Sequence, residues 1–284
     1  MDYDPALNFT EEQQAKIPHA WIAGKQTEQL RDMVNNIKAG DPVIFRTPLA
    51  LYRCPPGPYE RACLFGSAAL KKGAKVIVLD PNPQIMSKKP LFEKAFNTTY
   101  KDVLTYIPSV TVKSIDYANN IVVTDKGEFK GSMINFVPNQ KAGELAFTLG
   151  LVEEGKKWAS VSPKTFESTI IKDVYVIGDA IDTATVTEMP KSGTIANATG
   201  KVVAENLVRI FAGKEPLVPF VGNTCYSLVS ENEGIWIATL YEYDATKNKI
   251  VTRNGANGIP KEASVENKIN GHSWGNNILS DSFM

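Results

Sequence analysis

The sequence has no uncharged apolar run near the roughly 18 residues that a membrane-crossing helix needs. Its longest apolar stretches, such as 174–177 (VYVI), have strand length, and no membrane span is expected. It has no excess of either charge: 31 Lys+Arg balance 31 Asp+Glu. Neither a basic nucleic-acid binder nor an acidic disordered tail describes the whole chain. Histidine is scarce, and His19 and His272 stand isolated, so neither is expected to ligate a metal. Cysteine is scarce too: Cys54, Cys63 and Cys225 make an odd count that leaves the redox compartment open and suits plain buried thiols as well as chemistry. The first ten residues, MDYDPALNFT, lack the regions of a secretory signal. Either the protein is cytosolic or its true start is missing. What remains is an ordinary globular composition, 43% hydrophobic and 22% charged, over 284 residues, enough for two domains without metal or disulfide staples.

Along the chain, 17–39 carries a helical pattern with Leu30, Met33, Val34 and Ile37 on one face and Gly40 as a stop. A strand is expected at 42–45, then a proline-crowded loop, LALYRCPPGPYER, a helix over 62–72, and a second strand at 74–79 ending in Asp80. A helix over 90–104 precedes short strands at 110–115, 121–124 and 133–137, with a turn at Lys126-Gly127. The pattern predicts a parallel sheet with an antiparallel annex. Asp80 stands where a dinucleotide-binding fold places its ribose acid, but the chain contains no G-x-G, and three prolines between Cys54 and Glu60 remove amide donors. This reads as a Rossmann-like unit that has lost nicotinamide binding, with Asp80 a solvated strand-end residue.

The strongest local signal is STIIKDVYVIGDA, 168–180, in which an apolar strand runs into Gly178-Asp179-Ala180. A carboxylate at a strand end can accept hydrogen bonds from a polyol, and small neighbours allow close approach; a plain strand-to-turn junction fits equally. MPKSG, 189–193, then opens a long helix through Phe211, with Ser192 as N-cap and Gly213 closing it. Its positive end would face whatever lies beside Lys191, Ser192 and Gly193, and an electron-rich ring edge suits that field.

VYVIGDA resembles the second flavin-contact motif of two-dinucleotide-domain flavoprotein disulfide reductases. More closely, PHAWIAGKQTEQLR, YRCPPGPYERA, INFVPNQKAG, KTFESTIIKDVYVIGDA, MPKSGTIANATGKVVAENL, GNTCYSLVSENEGI and SWGNNILSDSF, in this order, resemble the flavoprotein subunit of flavocytochrome c sulfide dehydrogenase. The likeness runs from about residue 17 to the end. It implies an α/β, glutathione-reductase-like flavoprotein with two dinucleotide-binding domains, shortened at the amino terminus by loss of the G-x-G-x-x-G region, with a small α+β carboxy-terminal domain. The expected parts are a linker at 1–20, a degenerate NAD-like Rossmann domain at 21–143, a second FAD-domain segment at 144–216, and a flavocytochrome-type domain at 217–284.

The resemblance also implies chemistry. Cys54 and Cys225 match the cysteines of a redox-active disulfide over FAD, which hydrosulfide can open by nucleophilic attack. Cys63 has no such counterpart and is taken as a core thiol. Glu60 matches an acid beside that disulfide, placed to take a proton from sulfide or thiol, although a surface salt bridge with Arg61 is equally compatible. Gly178, Asp179 and Ala180 are carried over as ribityl contacts and Lys191, Ser192 and Gly193 as the helix start at the flavin pyrimidine edge. Pro138 ends a strand returning to the cofactor. Trp274 matches a tryptophan near the flavin and the cytochrome face, or is packing. The implied activity is oxidation of a small inorganic sulfur substrate, with electrons passed to a c-type cytochrome subunit in the periplasm. A sulfide:quinone oxidoreductase, or a remnant that only binds the cytochrome, are the other readings.

Overall fold

The computed structural model describes residues 2–3 and 9–284. The helical pattern expected over 17–39 condenses into α1 (Lys25–Asn35). Pro18 lacks an amide donor and Gly24 sits at φ +138, so 17–24 runs as an irregular strap instead. β1 (Pro42–Arg46), α2 (Gly57–Lys72) and β2 (Lys75–Leu79) form the expected β-loop-α-β unit. α2 begins five residues before the expected point because Pro58 falls in its first turn, where a missing N–H costs nothing. The helix expected over 90–104 is shorter: Lys89–Lys94 is α-helical, Ala95–Thr99 forms a π turn, and β3 (Leu104–Ile107) claims Leu104.

β4 (Val112–Asp116), β5 (Ile121–Thr124) and β6 (Gly127–Lys130) make the antiparallel annex. β7 (Met133–Phe136) then returns to the main sheet, whose order is β3-β2-β1-β7, all parallel. Both faces of this sheet are covered, as parallel sheets require. Val43, Phe45, Val76 and Val78 meet Tyr59, Ala62, Cys63 and Ala69 of α2. Ile44, Leu79, Ile134 and Phe136 meet Val110 and Val122 from the annex side.

The segment 174–177, expected as a strand, makes one isolated bridge, Glu167 to Tyr175, and Gly178–Ala180 closes as a 3-10 turn. Among the described residues no ladder forms beside it. α3 (Gly193–Phe211) follows, with the Ser192 hydroxyl accepting from the Ile195 amide. Its buried Ile195 and Val203 join Trp158, Phe166, Ile181, Val221, Tyr241 and Ile250 in a second core. The chain ends in an antiparallel sheet, β8 (Phe220–Leu228), β9 (Gly234–Asp244) and β10 (Lys249–Gly258), covered by α4 (Val265–Phe283). No helix among the described residues is long and apolar enough to cross a membrane.

Candidate functional site

The loop after β1 leaves the carboxyl edge of the parallel sheet beside β7, a position where open α/β sheets bind ligands. What shapes it is Asp80. Asp80 is fully buried, which corrects the expectation of a solvated strand end. Its Oδ1 accepts from Thr47 Oγ1 (2.8 Å), Asn82 N (2.9 Å) and Asn82 Nδ2 (2.7 Å), and its Oδ2 from the hydroxyls of Tyr59 (2.9 Å) and Tyr106 (2.8 Å). The two tyrosines, from α2 and β3, close over the strand end and exclude water, and five donors offset the burial of the charge. Asn82 relays this anchor: its Nδ2 donates to Pro48 O and its Oδ1 accepts from Ala50 N, both 2.9 Å. Three more loop amides are engaged, Leu49 N with Asn139 Oδ1 (2.9 Å), Arg53 N with Gln140 Oε1 (2.8 Å) and Cys54 N with Lys191 O (2.7 Å). A loop so committed has no row of amides to offer a pyrophosphate.

Cys54 sits in this loop at φ +60, a left-handed conformation unusual for a residue with a side chain. Its carbonyl accepts from Gly57 N (2.8 Å). Gly57 is required by close packing, since a Cβ there would stand 3.0 Å from both Cys54 Sγ and the Trp21 ring. One turn into α2, Glu60 Oε1 accepts from the Leu228 amide of β8 (2.8 Å). Arg61 turns the other way, donating to the His19 and Ala20 carbonyls with its guanidinium 4.5 Å from the Trp21 ring centroid. The two neighbours therefore serve different parts of the molecule.

β8 alternates, with Val221, Asn223, Cys225 and Ser227 buried on one face. Cys225 Sγ donates to Asn223 Oδ1 (3.4 Å), which also accepts from Ser192 Oγ (2.6 Å) at the start of α3. Ser227 Oγ accepts from the ammonium of Lys88 (2.9 Å), a buried lysine that the sequence reading did not single out. Cys54, Glu60, Ser192, Gly193, Cys225 and Trp274 line one cavity of about 320 Å³, with Tyr226, Ser227 and His272 among the rest of its wall. Trp274 packs on Tyr226 with ring centroids 6.3 Å apart. Cys54 and Cys225, far apart in sequence, thus share a site in which both are free thiols. Cys63 is fully buried in the core behind α2, and burial holds its thiol well above the ordinary range.

The charges in the cavity are unequal. Burial, reinforced by the Glu60 carboxylate, pushes the Cys54 thiol up to about 12. Burial also raises Cys225, but the Lys88 ammonium and bonds with Ser192 and Asn223 pull against it. Glu60 is raised by burial, against the Leu228 amide and Lys88, and so holds its proton into a higher pH range than a free carboxyl. Lys88 is lowered to about 8 by burial, opposed by Cys225, Glu60 and Cys54.

The remaining predicted residues lie outside the wall of this cavity. Lys191 gives its carbonyl to Cys54 and turns its ammonium back to the carbonyls of Asp179 (2.9 Å) and Ile181 (2.5 Å), 3.7 Å from the Trp158 ring centroid. It clamps the Gly178-Asp179-Ala180 turn. Burial lowers its pKa to about 8, against the pull of Asp179. Gly178, at φ +65, lets the turn approach α3, where a Cβ would stand 3.2 Å from Ala196 Cβ. Asp179 Oδ1 is buried with no hydrogen-bond partner, and burial raises the carboxyl above the ordinary range. Pro138 borders a separate cavity with Arg46, Phe136 and Asn139. Among the described residues no cluster of three or more metal-ligating side chains occurs.

A buried acceptor lacking a donor is costly unless a ligand supplies one, and a ribityl hydroxyl is such a donor. The positive end of α3 at Ser192-Gly193 borders the cavity, where a Gly193 Cβ would meet only the tip of Ile278 at 3.9 Å, and suits an electron-rich ring edge. The residues present therefore fit a flavin.

Comparison with known proteins agrees. Residues 27–138 match the family model "Sulfide dehydrogenase [flavocytochrome c] flavoprotein chain, central", and residues 218–283 match "Flavocytochrome c sulphide dehydrogenase, flavin-binding". Together these cover more than half of the chain. Among solved structures, a NAD-dependent persulfide reductase from A. fulgidus matches at 13% identity and TM-score 0.54, covering 88% of this chain and 51% of that one. A FAD-dependent pyridine nucleotide-disulphide oxidoreductase from Desulfovibrio vulgaris matches at 17% identity and TM-score 0.48, covering 75% and 53%. The chain spans about half the length of these structures, and its likeness to the persulfide reductase is one of fold alone, the α/β class expected from the sequence. FAD is the cofactor. The two matched models and their order along the chain make this protein a member of the flavocytochrome c sulfide dehydrogenase flavoprotein family.

Proposed function

We propose that the complete flavoprotein oxidises sulfide through Cys54 and Cys225 and passes the electrons to a c-type cytochrome subunit, in the periplasm. The observation that carries this reading is that two cysteines distant in sequence line one cavity with Glu60, at the amino end of α3. The free thiols correspond to the reduced pair. In the oxidised pair, hydrosulfide forms a bond to one cysteine sulfur, the S–S bond breaks, and its electron pair stays on the other sulfur as thiolate. Sulfide is oxidised to a cysteine persulfide and the disulfide is reduced.

Glu60, buried and held by the Leu228 amide, takes the proton of incoming hydrogen sulfide or returns one to a thiol, and burial, by raising its pKa, makes it a better proton acceptor than a free carboxylate. Asp179, Ser192 and Gly193 would hold the cofactor and Lys191 fixes the turn that presents Asp179. Bound FAD supplies a two-electron acceptor that can release electrons one at a time. Trp274, on Tyr226, screens one side of the cavity from water. The reading is tested by sulfide-dependent reduction of cytochrome c in the complete flavoprotein. Cys54→Ser and Cys225→Ser should each abolish it with the flavin spectrum preserved, whereas Cys63→Ser should spare the rate. Retained turnover in Cys225→Ser overturns the proposal.

A further inference from the structure

Lys88 has no role in the reading above, yet its placement is unusual. It lies in the left-handed region at φ 52, capping the short helix that follows it, with 4% of its surface exposed. Burying an ammonium is costly, and its hydrogen-bond partner is a neutral hydroxyl, Ser227 Oγ at 2.9 Å. The charges it faces are the acidic groups of the cavity, Cys225 first, then Glu60 and Cys54. It reaches the cavity from behind the wall, since Ser227 lines the cavity and Lys88 does not.

The surroundings of the two thiols differ in the same direction. Cys225 shares a strand face with Ser227 two residues on, beside the Lys88 charge, and with Asn223 two residues before, which the Ser192 hydroxyl fixes. Cys54 sits on the α2 side, where the first charge it meets is Glu60. Both sulfurs meet both charges, but Lys88 leads at Cys225, which also has the polar strand face, and Glu60 leads at Cys54.

We propose that Lys88 is a positioning residue that polarises the cysteine pair through the Ser227 face of β8, making Cys225 the thiolate and Cys54 the sulfur that sulfide attacks. The inference rests on the sulfur chemistry proposed above. Hydrosulfide then bonds to Cys54 Sγ, the Cys54–Cys225 bond breaks, and its electron pair leaves on Cys225 Sγ beside the Lys88 charge. The products are a Cys54 persulfide and a Cys225 thiolate, and no other reactant is consumed. A thiolate stabilised by a neighbouring cation is the better leaving group, so the polarity of the pair fixes the direction of attack.

The test is alkylation of the reduced complete flavoprotein by iodoacetamide across pH 6 to 10, with each cysteine followed separately by peptide mass. Cys225 should react ahead of Cys54 at neutral pH, with buried Cys63 unmodified. Lys88→Met should slow Cys225 about tenfold or more at fixed pH and move its pH profile upward, because an adjacent opposite charge lowers such a pKa by about 1–3. Lys88→Arg should keep the preference. Faster labelling of Cys54 in the unaltered protein, which requires no variant to fold, overturns the proposal, as does an unchanged Cys225 profile in a folded Lys88→Met protein. The readout is thiol reactivity, so it fails or succeeds separately from sulfide turnover in Cys225→Ser, which judges the sulfur chemistry itself.

Discussion

Asp80→Asn removes one charge and leaves the shape of the side chain intact. The buried carboxylate takes five hydrogen bonds, and the amide that replaces it must point NH₂ at donors on one side: either the Tyr59 and Tyr106 hydroxyls or the Thr47 and Asn82 set. The tyrosines can turn to accept, but Tyr59 OH already accepts from the Met86 amide (3.1 Å). Losing charge assistance roughly halves each bond, so five bonds at about 0.5–1 kcal/mol each give a cost of about 2.5–5 kcal/mol. For a domain of this size that lowers Tm by about 5–20 °C. The assay is thermal unfolding of the complete flavoprotein by circular dichroism, variant against parent. Because Asn82 ties Asp80 to Pro48 O and Ala50 N, the variant should also label faster at Cys54 as its loop loosens. A Tm within about 2 °C of the parent would refute the buried anchor and restore a solvated strand end.

Asp179→Ala should lower the thermal stability of the complete flavoprotein, read at the flavin absorption band, by several degrees, since it removes a bond to a charged acceptor worth about 1.5–3 kcal/mol; an unchanged transition would mean that Oδ1 has no cofactor partner. Burial and the charges of Arg61 and Arg53 lower His19 to about 4, so the unfolded chain binds a proton near pH 6.5 that the folded chain refuses. Stability should therefore fall as pH drops from about 6.5 to about 4, and the urea midpoint of His19→Asn should fall less; equal losses would remove His19 from the account. Calorimetry with NADH should show no saturable micromolar binding, because the amides at Leu49, Ala50, Arg53 and Cys54 are already bonded within the protein; such binding would contradict that assignment.

Apolar runs, breakers and caps were enough for the β-loop-α-β unit, the annex and α3, because each is a local pattern: the short apolar run ending at Phe45, the Lys126-Gly127 turn, Ser192 as cap. Boundaries shifted where one residue overrode the pattern, as Pro58 did at the start of α2 and Pro18 and Gly24 did before α1. Asp80 was misread because its burial depends on hydroxyls from Tyr59 and Tyr106, which sequence spacing does not bring together. The strand expected at 174–177 failed for the same reason: a strand needs a neighbour, and local composition does not reveal one. Cys54, Glu60 and Cys225 came from resemblance, and spacing alone would not have paired them. Lys88 was invisible in the sequence, since SKKP reads as a solvated turn; a lysine set just before a proline-started helix was the one signal available.

The central claim, that Cys54 and Cys225 form one redox pair, is tested most directly by mass spectrometry of the complete flavoprotein digested without reduction, before and after one equivalent of sulfide under anaerobic conditions. The account predicts a cross-linked peptide pair containing Cys54 and Cys225 before sulfide. After it, the link should be lost and a trapped persulfide should appear on one of the two peptides, with Cys63 free throughout. Two free thiols in the oxidised protein, or a cross-link that sulfide leaves intact, would contradict it.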